Sequence, residues 1–190
     1  MKELIMIIGG IVQSIGVIPY IKEIKQGTTK PNKISWLMWT IAPLIATIAA
    51  FSGGVRWSIV PVLMATLIPI SIFIASFMNK ESYWKIEKFD YICGLLSLIT
   101  LIFWYITKNP IVAISFAIIS DIFAATPTVT KSYKYPETET STFYVFFLMG
   151  ILISFIGTKT LDFTSHAFSI YLILLQIVIL FSLHHKKLIK

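Results

Sequence analysis

A carboxylate in the middle of an apolar run is the residue of this sequence best placed to do chemistry. Asp121 lies about midway along residues 110–130, and Pro127 closes the same run. A charged aspartate at the centre of a membrane helix costs ~2.5–3.5 kcal/mol on insertion scales, so it should face the bundle interior or a water-filled cavity. No basic residue lies at a similar depth to neutralise it. Proton uptake, and hence proton coupling of a transported solute, is the role expected of Asp121. The alternative is a protonated aspartate that bonds a neighbouring helix.

The same plan occurs 108 residues earlier (127 − 19), where Gln13 and Pro19 share the run 4–21. Gln13 cannot titrate. It is a candidate hydrogen-bonder of substrate, or else glue between packed helices. Pro19 has no N–H, so the Ile15 carbonyl loses its helical partner, and Pro127 does the same to Phe123. In lipid a freed carbonyl needs another donor, so such breaks are expected to face protein or water. Either proline alone could simply end a helix. A matched pair reads as two hinges, and proline-broken helices at equivalent positions of two halves point to a membrane transporter.

The offset also matches Trp36 with Tyr144 and Trp39 with Phe147. Each pair is spaced i, i+3 and so shares a helix face. Such aromatics form an interfacial belt or line the mouth of a central pathway. Trp57, Trp84 and Trp104 read as belt residues, and Pro43, Pro61 and Pro69 add kinks without repeat partners.

The elements that must position these residues are membrane helices. Of 190 residues 56% are hydrophobic and only 13% charged, against ~25% charged in soluble domains. Seven apolar runs follow in order, at 4–21, 34–52, 57–78, 89–107, 110–130, 141–158 and 164–183. Runs of ~17–25 residues span the hydrocarbon as helices. The first could pass for a secretory signal, but no clear cleavage site follows it, and it reads as a permanent helix. The expected fold is therefore all-α: seven transmembrane helices as two parallel three-helix repeats joined by a linker helix. Residues 1–78 form the first bundle, 79–109 a cytoplasmic loop and linker helix, and 110–190 the second bundle with a cytoplasmic tail.

The net charge of +7 comes from lysines in short loops, which argues against nucleic acid as a partner. Twelve lysines fall after runs 1, 3, 5 and 7, against Lys2, Arg56, Lys108 and Lys159 on the other side. By the positive-inside rule the N-terminus is outside and the C-terminus cytoplasmic. Cys93, alone in an apolar run, reads as a small buried hydrophobe.

Seven helices in a three-plus-one-plus-three order, with prolines closing helices 1 and 5 before cytoplasmic loops, resemble the PQ-loop superfamily. That group includes the SWEET sugar transporters, lysosomal cystine and cationic amino-acid exporters, and KDEL-receptor-like folds. This chain carries Pro19-Tyr20 and Pro127-Thr128 where the family has Pro-Gln. SWEET-type pockets use asparagines on the third helix of each half; runs 3 and 7 have none, and Gln176 is the nearest polar substitute. The resemblance implies alternating access for a small polar solute, and proton coupling through an intramembrane aspartate.

Enzyme readings lack parts. His166 falls in an expected outer loop and His184 and His185 in the tail, so no metal site is expected. Gly9-Gly10 opens no phosphate-binding pattern, and run 7 has no lysine to hold retinal. No cofactor is implied. The expected partners are a small-molecule solute, protons and the lipid bilayer. Two other readings stay open: a receptor or accessory protein that moves nothing, and a vitamin carrier resembling those for nicotinamide riboside.

Overall fold

The computed structural model describes residues 2–52, 60–107, 109–157 and 163–188. Arg56, Trp57, Lys108 and Lys159 lie outside them. The described residues are helical, with no strand among them. The helices are α1 (Lys2–Ile15), α2 (Val17–Gln26), α3 (Lys33–Ser52), α4 (Val60–Ala75), α5 (Lys88–Ile106), α6 (Pro110–Lys134), α7 (Ser141–Gly157) and α8 (Phe163–Leu188). Each apolar run is thus a helix, the first in two pieces.

Local chemistry sets these limits. The Ile15 carbonyl cannot bond Pro19, and α1 stops there; the chain resumes as α2 after Gly16. Gly27, at φ 81°, ends α2 in the left-handed conformation that glycine adopts without a Cβ penalty. The Asn32 side chain then accepts from the Ile34 and Ser35 amides at the start of α3. At α6, Asn109 caps the amides of Ile111 and Val112, and Pro110 takes the first position, where no N–H is needed. Pro127 leaves α6 unbroken from Pro110 to Lys134.

Leu4–Gln26, Lys88–Ile106, Ile111–Lys134 and His166–His185 are long and apolar enough to cross a membrane; Met64–Ala75 and Ser141–Gly157 are shorter apolar helices. Their outward faces are strongly apolar: Ile18 is 74% exposed and Ile156 73%. Exposed apolar surface on this scale is incompatible with a wetted exterior, and the chain is a membrane protein.

Among the described residues six helices close into a ring in which α1, α4, α3, α6, α8 and α7 succeed one another, α7 returning to α1. α5 packs outside it, on α6 and α3. Small residues permit the tight α1–α7 seam: a Cβ on Gly9 would collide with Ser154 and Gly150, and one on Gly150 with Gln13 and the Gly9 carbonyl. Ser97 and Ser120 bond each other across α5 and α6, the Ser120 hydroxyl donating to the Ser97 carbonyl at 2.8 Å.

Two expectations change at the helix ends. α6 runs four residues past 130, so Lys131 and Lys134 are helical rather than loop residues. The histidines also belong to α8: His166 is buried edge-on to Phe155, and His185 is buried and stacked on Tyr133 at 4.0 Å. Apolar runs locate the hydrocarbon, and helices continue beyond it where caps and packing allow.

Candidate functional site

Asp121 lies on α6 facing the ring. Its Oδ2 accepts from the Tyr171 hydroxyl of α8 at 2.7 Å, and the indole N–H of Trp39 on α3 also interacts with the carboxyl. Three helices thus converge on one carboxyl, and none of these partners is cationic. The group sits beside the aromatic core, since Tyr171 and Trp39 both pack against the buried cluster.

That cluster fills the ring on the side of the lysine-bearing loops. Trp36, Tyr20 and Tyr144 are fully buried there, with Phe143 between them. Ring centroids are 5.4 Å apart for Tyr20 and Trp36, 5.4 Å for Trp36 and Phe143, 5.0 Å for Trp36 and Trp39, and 5.5 Å for Phe143 and Phe147. Edge and tilted rings at these separations attract beyond their area burial. Trp36 Nε1, the Tyr144 hydroxyl and Gln176 Oε1 are buried without a hydrogen-bond partner among the described residues. Trp36 and Tyr144 therefore plug the ring rather than rim an open mouth.

Below the plug lies a buried ion pair. Lys131 Nζ donates to Glu139 Oε2 at 2.6 Å, with essentially no exposed side-chain surface on either residue. The ammonium also donates to the Lys30 carbonyl and, at 3.5 Å, to that of Thr138. Glu139 Oε1 accepts from the Tyr20 hydroxyl, so both carboxylate oxygens are used. A buried pair is tolerable only when its remaining donors and acceptors are satisfied, and here they are.

This pair ties together the loop after α2 and the loop after α6. The Lys30 amide donates to the Thr138 carbonyl at 2.9 Å. Glu23 accepts from Thr29 at 2.8 Å within its own loop and from Thr140 at 3.3 Å across the clasp. These partners obey the 108-residue offset: position 138 answers to 30, 131 to 23, and 140 to 32. Thr140 bonds the Thr142 amide at the start of α7, as Asn32 does at the start of α3.

The sequence-derived residues divide accordingly. Asp121 and Trp39 meet. Gln13 packs against Gly150 in the α1–α7 seam, and no hydrogen bond of the Asp121 group involves it. Pro19 follows the α1–α2 break, and Pro127 is buried inside α6. Gln176 is buried on α8.

Tyr171, Tyr20, Lys131 and Glu139 escaped the sequence reading. A tyrosine in an apolar run is too common to single out, and Lys131 resembles the other loop lysines. The available signal was Lys131 followed eight residues later by Glu139 in a short loop.

No family model, curated protein or solved structure matches this chain.

Proposed function

We propose that this protein carries a small polar solute across the membrane by alternating access, with Asp121 coupling the movement to protons. The supporting observation is that the Asp121 carboxyl is bonded from both halves: by Tyr171 on α8 and by Trp39 on α3. A group shared across two rocking units is remade each time they move, so its protonation can bias which state is favoured.

The halves are residues 1–78 and 110–190, arranged as parallel three-helix repeats with 79–109 as connector. In support, α4 packs on both α1 and α3, and α8 in the same way on both α6 and α7. Contacts between the halves, α1 with α7 and α6 with α3, exchange under the 108-residue offset. The aromatic plug and the Lys131–Glu139 clasp then form a gate on the lysine-rich side. That side is cytoplasmic in this reading, with the N-terminus outside. Pro19 and Pro127 are the hinges next to the clasp, Gln13 and Gln176 the polar groups available to a solute.

Uptake into proteoliposomes tests the proposal. With Asp121→Asn, uptake driven by a pH gradient should be lost, while exchange without a gradient should survive, because the amide retains the shape of the protonated acid. Gradient-driven uptake by the variant would make Asp121 structural. The absence of flux in the parent protein would favour a receptor or accessory protein with the same fold.

A further inference from the structure

A second pocket opens where α3 begins, α4 ends and the 3₁₀ turn Lys80–Ser82 follows. It holds about 250 Å³ and is lined by Lys33, Ser76, Phe77, Asn79, Lys80 and Tyr83. Its two ammonium groups are uncompensated: among the described residues neither Lys33 nor Lys80 forms an ion pair. No carboxylate lines the pocket, and Glu81, next in sequence, lays its stem against Gly27. Asn79 Nδ2 already donates to the Lys25 carbonyl at 2.8 Å and Ser76 Oγ to the Phe73 carbonyl at 2.6 Å. The lysines are thus the donors left over.

Lys33 is also held in place. Its Nζ lies 4.0 Å from the centroid of Phe77 and 5.1 Å from that of Tyr83, so its charge stays beside the pocket instead of reaching into water. Adjoining it, Ile74, Phe77 and Met78 are 59%, 61% and 60% exposed. In a membrane protein this apolar strip meets lipid, and the lysine-bearing loops lie at the level of the headgroups.

We propose that this pocket holds the phosphate of an anionic phospholipid, with an acyl chain along Ile74, Phe77 and Met78. Charge-assisted bonds from two ammonium groups suit phosphate oxygens, and basic pockets between membrane helices recognise anionic headgroups. The assignment rests on the chain's being a membrane protein and not on transport.

Lipid binding to the purified full-length chain in neutral detergent, followed by native mass spectrometry, tests it. Phosphatidylglycerol should bind saturably and at least tenfold more tightly than phosphatidylcholine. Lys33→Gln with Lys80→Gln should erase that preference. Lys85→Gln with Lys88→Gln, which removes the same charge elsewhere, should keep it, as should arginine at 33 and 80. Should the double variant not fold, Lys80→Gln alone, on an exposed turn, should weaken binding at least threefold. Equal binding of the two lipids, equal loss in the control pair, or no loss in Lys80→Gln would overturn the proposal. So would displacement of the lipid by inorganic phosphate at comparable concentration.

Discussion

Lys131 shows how much one residue's context decides. Counted along the sequence it is one of twelve topology lysines; in the fold it is buried against Glu139, with Tyr20 on the carboxylate's other oxygen. Removing one partner strands a charge, so Glu139→Ala should destabilise the protein by about 3–5 kcal/mol, whereas Lys131→Met with Glu139→Leu should recover most of that loss. Thermal unfolding in detergent measures both. A small effect of Glu139→Ala would mean that water reaches Lys131. Asp121 was legible because a carboxylate inside an apolar run is rare. Tyr171 and Trp39 were not legible as its partners, because pairing across helices depends on their rotation about their axes, which hydropathy does not report.

At the scale of elements, composition predicted the helices well and their ends less well. α3, α5 and α7 begin within one residue of their apolar runs, where a loop or cap adjoins the run directly. α2, α6 and α8 extend further, because polar and basic residues continue a helix once packing supports it. The two prolines, equivalent in sequence, differ in the fold: the chain breaks before Pro19 and runs straight through Pro127. Proline in a helix interior costs about 3 kcal/mol, part of which alanine would restore. Pro19→Ala should therefore join α1 to α2 and slow hydrogen exchange of the amides from Val17 to Tyr20. Pro127→Ala should change exchange in α6 much less. Equal slowing at both sites would show that the break at Gly16 has another cause.

At the scale of the molecule, the offset of 108 residues between prolines proved to extend to the caps of α3 and α7 and to the loops that clasp each other. Spacing carried that information although residue identities did not. The ring order of the helices was not legible, since it arises from small residues in seams such as Gly9 with Gly150. The proposed motion opens the clasp and breaks the aromatic plug as the halves rock about Asp121. Spin labels at Gln26 and Glu137, both exposed and on opposite sides of the clasp, report that motion without knowledge of the solute. Two distance populations are predicted, one with the loops together and one with them apart. Acidification should shift their ratio in the parent protein and leave it unchanged in Asp121→Asn. A single short distance at every pH, the same in both proteins, would contradict alternating access governed by Asp121.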